Sequence, residues 1–439
     1  MRMFSLRNVV FFAVSVAIVA GAGSYVYLAK PFVKPVSVAV TYKTPEESDQ
    51  YVRFVMEAYD LIQKNYWQKT TDADLSQHFE LSIQKAAATT TMRTSPDRTG
   101  VANLILRAFQ GATDARKKEI AVQTIQVALY NLQPIGRAQL LSQQAKTDLT
   151  NTVTNVNPGN DLYKSLGLPT GASTSSVAEA YDKKVAELAA TSSPGNEKAI
   201  ADAKYAKEVL TNKDQKALYD DTKIEPTVFV HVIGHTLYVY IEKMSPTTES
   251  EFEKALNDAA SDKSLTGFIL DLRGNIGGDL TFAQTFLGLF LGPNQYAYDI
   301  FHGGAYEAQR TIAMQKLPSI TRFREISVLT DKMTQSTAEI ITAALKRDHR
   351  AVVVGDTTRG WGSIEQMLPM QTQLGTEAYT LLLVIGLTVA DDAQQIEGRG
   401  VVPDVSIKET GWQSKLLDFL YSGDLIAVVK KTAAGKPLK

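Results

Sequence analysis

The chain contains no cysteine, which excludes disulfides, thiolate catalysis, Cys-ligated zinc and iron–sulfur clusters. Histidine is scarce as well, with five in 439 residues: His78, His231, His235, His302 and His349. His231 and His235 are four apart, but they flank Gly234 in a strand-like stretch rather than sharing a helix face. No metal site and no cofactor is expected from them. An excess of one charge is also missing. Lys+Arg number 46 against 47 Asp+Glu, for a net charge of −1. That balance lacks the basic footprint of a nucleic-acid binder, so no such partner is expected. Neither an internal repeat nor a low-complexity segment is visible. With 44% hydrophobic and 21% charged residues, the composition is globular. The length exceeds one ordinary domain and predicts two to four units.

One long uncharged run stands at the N-terminus, from Val9 to Leu28. As a helix it would span about 30 Å, the thickness of a bilayer's hydrocarbon core. Arg2 and Arg7 precede it, and Lys30 and Lys34 follow. Ala20-Gly21-Ala22 offers a signal-peptide cleavage site. The apolar run continues through Tyr25–Leu28, however, which favours an uncleaved anchor. Both readings export the remainder and predict a single-pass membrane protein with its bulk on the extracytoplasmic side.

Five segments follow from the texture of the chain: residues 1–30, anchor or signal; 31–150, a helical N-terminal region; 160–222, a small helical unit; 226–410, an α/β core; and 411–439, a C-terminal tail. The second segment shows helical periodicity in Tyr51, Phe54, Val55, Ala58, Leu61 and Ile62. After Pro226, β-rich runs alternate with helical ones. Strands are predicted at Thr236–Lys243, Gly267–Leu272, Ile326–Thr330, Ala351–Val354 and Thr380–Leu387. Helices are predicted at Thr248–Ala260, Leu280–Leu291 and Ser336–Lys346. Such alternation predicts a parallel sheet with functional loops at the C-terminal strand ends. In the tail, Leu416–Leu420 is expected to pack on the core or on a second subunit. The basic end is expected to be solvated.

Three stretches of the core stand out. Asp271-Leu272-Arg273-Gly274-Asn275-Ile276-Gly277-Gly278 follows a strand, and its glycines let backbone N–H groups face a crevice. Thr334-Gln335-Ser336-Thr337-Ala338-Glu339 places Ser336 at a helix N-terminus, where the helix dipole favours developing negative charge. Ser336 with Glu339 also reads as a capping box, which requires no chemistry. Gly355-Asp356-Thr357-Thr358-Arg359-Gly360-Trp361-Gly362-Ser363-Ile364-Glu365-Gln366 is a glycine-rich loop after a strand.

In this order, with Ile396-Glu397-Gly398-Arg399-Gly400-Val401-Val402-Pro403-Asp404 behind them, these stretches resemble the core of the carboxyl-terminal processing, or tail-specific, serine peptidases. The resemblance is strong over residues 226–408 and weak over 45–110. It implies an α/β, crotonase-like peptidase core with an N-terminal helical region, and peptide or unfolded protein as substrate or ligand. It also implies Ser336 as nucleophile, with the N–H groups of Thr337 and of Gly277 or Gly278 forming the oxyanion region. Trp361 stands in the slot of the family's general-base lysine. Glu365 stands in that of its supporting glutamine.

An indole has one N–H donor and no basic lone pair, so Trp361 cannot take the serine proton. Lys346 is ten residues along the same helix, about 15 Å away. His349 is further still, and Lys332 is expected to point elsewhere. His231, His235 and Glu365 stay open as bases at this point. Two readings follow: a pseudo-peptidase that holds peptides, favoured by the missing lysine, or an active serine peptidase with an unfamiliar base.

The small helical unit carries Asp161-Leu162-Tyr163-Lys164-Ser165-Leu166-Gly167-Leu168, Tyr205-Ala206-Lys207-Glu208-Val209-Leu210-Thr211-Asn212 and Lys216-Ala217-Leu218-Tyr219-Asp220. These resemble a chaperone J-domain, standing where the peptidase family usually has a PDZ module. The J family's His-Pro-Asp loop is replaced by Thr191-Ser192-Ser193-Pro194-Gly195-Asn196, so a spacer or docking role is expected over co-chaperone activity. Tyr181, Val185, Leu188, Tyr205, Val209 and Leu210 are expected to form its core. An oligomer is compatible with the sequence.

Overall fold

Polar caps mark where the first helices begin. In the computed structural model, which describes residues 43–159, 161–191, 195–312, 315–389 and 394–439, the Asp49 carboxylate accepts the N–H groups of Tyr51 and Val52 and opens α1, Gln50–Asn65. Thr71 opens α2, Asp72–Ala87; Asp97 opens α3, Arg98–Ala108; Thr113 opens α4, Asp114–Tyr130. Each such cap is worth about 1 kcal/mol. The apolar faces of these helices meet in one core containing Phe54, Tyr59, Phe79 and Leu104. β1, Gln139–Ser142, completes this stretch.

The next helices are α5, Gln143–Thr154, and α6, Leu162–Ser165, then the hairpin of α7, Thr174–Ala189, and α8, Asn196–Thr211, and finally α9, Lys213–Thr222. Leu162, Tyr163, Leu166, Val177, Val209, Leu210 and Tyr219 form a separate small core there, with Tyr181 and Tyr205 packed against it.

From Val228 the chain alternates: β2, Val228–Ile233; β3, Thr236–Ile241; α10, Thr248–Ala259; β4, Gly267–Asp271; α11, Thr281–Leu291; β5, Tyr296–His302; β6, Ala305–Arg310; α12, Pro318–Thr321; β7, Glu325–Thr330; α13, Thr337–Arg347; β8, Val352–Gly355; β9, Ser363–Pro369; β10, Tyr379–Thr388; β11, Val405–Ser406; α14, Trp412–Lys415; and α15, Gly423–Thr432. The predicted strands and helices of the core correspond to β3, β4, β7, β8, β10, α10, α11 and α13 within a few residues at each end.

The described chain divides into two compact units. One comprises the residues up to Ser142 with Phe301–Ala305 and Ser363–Gly386. The other comprises Gln143–Ile300, Tyr306–Gly362 and Leu387–Lys439. In the first unit β1 pairs antiparallel with β10, Gln139 opposite Leu382. β9 also pairs with β10. In the second unit six strands lie in the order β11-β8-β7-β4-β3-β2. All neighbours are parallel except β2 with β3. β4 is buried throughout, as expected of a strand covered on both faces. Fully burying its Phe268, Ile269 and Leu270 contributes about 1.5–3 kcal/mol each. The C-terminal ends of β4 and β7 lie side by side, with Asp271 opposite Leu329. The loops that follow those two ends therefore share one rim.

The tail departs from expectation. Leu416 and Leu420 do pack, joining α15 on the sheet. The lysines of the basic end are exposed, as expected, but the backbone that carries them is docked. Buried Arg273 donates to the carbonyls of Thr432 (3.0 Å), Ala433 (2.9 Å) and Gly435 (2.6 Å). The Leu438 N–H donates to the Tyr238 hydroxyl at 3.0 Å, and Lys439 Nζ lies 2.8 Å from Glu242. Segment 9–28, read as anchor or signal, lies outside the described residues. Among the described residues no helix is long and apolar enough to cross a membrane.

Candidate active site

β7 ends at Thr330 and the chain turns into α13 through Asp331–Ser336. Asp331 Oδ1 organises the turn by accepting the N–H groups of Met333 and Thr334, each at 2.9 Å. It also accepts the Gly274 N–H at 3.0 Å, from the loop after β4. Thr334 Oγ donates to the Leu272 carbonyl and the Gln335 N–H to the Asn275 carbonyl, both at 2.9 Å. The glycine loop is thus stitched to the approach of Ser336.

Ser336 has φ 58° and ψ −129°. An L-residue held there carries strain of order 1–3 kcal/mol, and it persists only where the surroundings over-determine it. They do so here. The Ser336 N–H donates to Glu339 Oε2 at 2.8 Å, and its carbonyl accepts the Glu339 N–H at 2.8 Å. From the other side Gly277 presses in. A Cβ on Gly277 would stand 2.6 Å from Ser336 Cβ and 3.0 Å from Thr337 N, so no side chain fits at that position.

The two glycine amides are not equivalent. The Gly277 N–H already donates to Asn275 Oδ1 at 2.8 Å. The Gly278 N–H donates to nothing among the described residues. Its neighbourhood is tight, since a Cβ there would fall 1.8 Å from the Met244 carbonyl oxygen. The Thr337 hydroxyl donates to the Gly278 carbonyl at 3.0 Å, bringing that peptide to the first turn of α13. The Thr337 N–H is the first of the helix and has no intrahelical acceptor. Gly277 is thus packed closely against Ser336 and the Thr337 N–H, and the Gly278 peptide is tied to the same turn.

Glu339 does more than cap the helix. It is fully buried. Its Oε1 accepts the Thr358 hydroxyl (2.5 Å) and the Gly360 N–H (2.7 Å). Its Oε2 accepts the Trp361 N–H as well as that of Ser336, both at 2.8 Å. Burial pushes its carboxyl up, and those four donors oppose the rise. All of its acceptor positions are in use, so Glu339 holds the Trp361 loop against the serine turn and has no lone pair to spare for a proton. The closing motif braces the same loop from behind. The Gly398 N–H donates to the Gly360 carbonyl, and the Gly362 N–H to Glu397 Oε2, each at 2.8 Å. The Arg359 guanidinium stands 5.4 Å from the centre of the Trp361 ring, within cation–π range.

The structure thus gathers the backbones of Ser336, Thr337, Gly277, Gly278 and Trp361. Glu365 lies on β9, which falls in the first unit, and there Ser363 Oγ donates to its Oε1 at 2.6 Å. The other candidate bases are dispersed. His231 sits on β2, separated from β7 by β3 and β4, or about 14 Å at ordinary strand spacing. His235 stands before β3, at the opposite end of the parallel strands from Ser336. Lys346 Nζ donates to the Val402 carbonyl at 2.8 Å. Burial lowers the Lys243 amine, but its Nζ is turned to the Thr152 carbonyl at 3.1 Å. Asn275, Glu339 and the closing motif were not assigned roles in the site from sequence. The only signal for them was that all three lie inside the motifs that stood out.

A strained serine at a strand-to-helix turn, packed against a glycine loop at the rim of a parallel sheet, is a serine-peptidase-like arrangement. The model of peptidase family S41 matches residues 235–407. The carboxy-terminal processing protease CtpB of Bacillus subtilis is 29% identical over 187 residues, 42% of this chain and 36% of that one. Carboxyl-terminal-processing peptidase 1 of Arabidopsis thaliana chloroplasts is 32% identical over 144 residues, 33% of this chain and 28% of that one. Among solved structures, a photosystem II D1 C-terminal processing protease is 13% identical, covering 88% of this chain and 98% of that chain with a TM-score of 0.49. Residues 235–407 thus carry a peptidase family S41 domain similar to the carboxy-terminal processing proteases. The match spans about a third of the length of these two curated relatives.

Proposed function

We propose that this chain is a C-terminal processing peptidase homologue that holds extended polypeptide at the Ser336 turn and cleaves it slowly or not at all. The observation that carries this reading is the Trp361 loop. By resemblance the slot of the family's base holds Trp361, an indole, and the carboxylate bonded to its N–H, Glu339, already accepts four hydrogen bonds. A serine hydroxyl without a base is a poor nucleophile, whereas the amides of Thr337 and Gly278 can still bind a peptide carbonyl. The exported, single-pass location read from residues 9–28 belongs to this proposal, as does a spacer or docking role for the J-like unit at 160–222. A second reading, an active Ser336 peptidase with an unfamiliar base, is favoured by one observation: the strained serine conformation is retained despite its cost.

The test is incubation of the full chain with an unfolded protein, comparing wild type, Ser336→Ala and Trp361→Lys. Wild type and Ser336→Ala are expected to leave it intact, and Trp361→Lys to gain cleavage that a further Ser336→Ala change abolishes. Cleavage by wild type that disappears in Ser336→Ala would establish the second reading.

A further inference from the structure

A second depression lies at the opposite end of the same sheet. It is a cavity of about 460 Å³ floored by Leu265 and bordered by Lys263, Thr266, Arg322, Arg324, Glu325 and Ser422. It sits where β4 and β7 begin, whereas Ser336 follows the end of β7. The six residues of β7 alone span about 20 Å.

Its chemistry is one-sided. Three cations border it against one lining carboxylate, Glu325, with Asp262 beside Arg322. Glu325 accepts the N–H groups of Tyr421 (2.6 Å) and Ser422 (2.8 Å). Asp262 Oδ1 accepts the Ser264 N–H (2.9 Å) and hydroxyl (2.6 Å). Arg322 is held rigidly, donating to the carbonyls of Ala260 (2.9 Å), Asp262 (2.6 Å) and Leu265 (3.0 Å), with two of its five N–H groups left over. Lys263 Nζ is steadied by the Ala260 carbonyl at 2.8 Å. Arg324 pairs with no carboxylate among the described residues. Unused guanidinium and ammonium N–H groups therefore line the cavity together with the hydroxyls of Thr266 and Ser422. A lining rich in donors and poor in free acceptors suits a ligand made of anionic oxygens.

We infer that this cavity is a binding site for a small phosphate-bearing anion, independent of the Ser336 site and of the function proposed for it. Arg324 and Lys263 supply the adaptable charge, and Arg322 supplies a fixed fork. The ligand could be soluble or a lipid headgroup, since both present the same phosphate oxygens.

The experiment measures the thermal midpoint of the full chain in sodium phosphate and in sodium chloride at equal ionic strength, with the phosphate affinity read by titration calorimetry. Phosphate is expected to raise the midpoint by several degrees, as any ligand of the folded state does. Arg324→Gln and Lys263→Gln, both changes of exposed side chains, should each weaken phosphate by about tenfold. Equal midpoints in the two salts, or unchanged affinity in both variants, would overturn the inference. Sedimentation with phosphatidylglycerol vesicles identifies the source. Binding that phosphate displaces and Arg324→Gln abolishes assigns a headgroup; phosphate binding without sedimentation assigns a soluble ligand.

Discussion

Two carboxylates of the second unit, Asp271 at the end of β4 and Glu339 in the first turn of α13, have no exposed surface, yet they are accommodated in opposite ways. Asp271 is paired with a cation. Arg273 Nη2 stands 2.5 Å from Oδ2 and Nε 2.9 Å from Oδ1, and the Tyr238 hydroxyl also donates to Oδ2. Glu339 meets only neutral donors: one hydroxyl and three backbone amides. A charge paired with a charge can recruit other partners, and Arg273 uses its remaining donors to hold the C-terminal tail. A charge solvated by amides instead dictates where those amides lie, which is how Glu339 sets the Trp361 loop against Ser336. One pair anchors a distant segment, and the other builds a pocket wall.

The largest effect should come from breaking the cation pair. Arg273→Met leaves Asp271 buried without its counter-charge and frees three tail carbonyls, an expected loss of about 3–5 kcal/mol. Urea unfolding measures it. If the tail docks through Arg273 as seen, the variant should also become sensitive to proteolysis after Thr432. The double change Asp271→Asn with Arg273→Met should recover part of the loss, because no bare charge then remains inside. Failure to recover would mean the guanidinium acts mainly through the tail.

Next in size is Gly277→Ala. The added methyl would meet Ser336 Cβ at 2.6 Å on a backbone of φ +77°, an overpacking cost of about 1–3 kcal/mol. The same unfolding assay reads it. The change should displace the serine turn while leaving the Glu339 contacts to Thr358, Gly360 and Trp361 in place.

These side-chain roles were only partly legible in the sequence. The β–α alternation after Pro226 was, because apolar runs and turn residues reveal burial and periodicity. The Ser336 turn was visible through its motif order. The docking of the tail was not. Arg273 bonds to main-chain carbonyls, and a carbonyl has no sequence signature; the exposed Lys430, Lys431, Lys436 and Lys439 were legible as solvated, the docked backbone between them was not. Glu339 read as a helix cap, which it also is; its three further donors come from a loop some twenty residues on.

Replacing Glu339 tests the other half of the comparison. Glu339→Gln keeps the shape but offers one acceptor oxygen in place of two. At least one of the four donors is left buried and unmatched, at about 1–3 kcal/mol. The loop should loosen, so the fluorescence of Trp361, obtained as the difference from Trp361→Phe, should shift toward the solvated indole. Unchanged emission would mean the closing motif alone holds the loop.

The smallest effect is the pH dependence of Glu339. Burial raises its carboxyl above the ordinary 4.5, so the folded chain binds that proton more tightly than the unfolded chain does. The stabilising share of Glu339 is then complete below the unfolded value and is lost as pH rises through the raised folded value. Subtracting the unfolding free energy of Glu339→Gln from that of wild type isolates this one group. The difference should grow in favour of wild type as pH falls from neutrality through the raised value, with a slope of at most about 1.4 kcal/mol per pH unit. If it shrinks instead, the four donors outweigh burial. Neutral donors, one hydroxyl and three amides, would then suffice to keep a carboxylate ionised in the core.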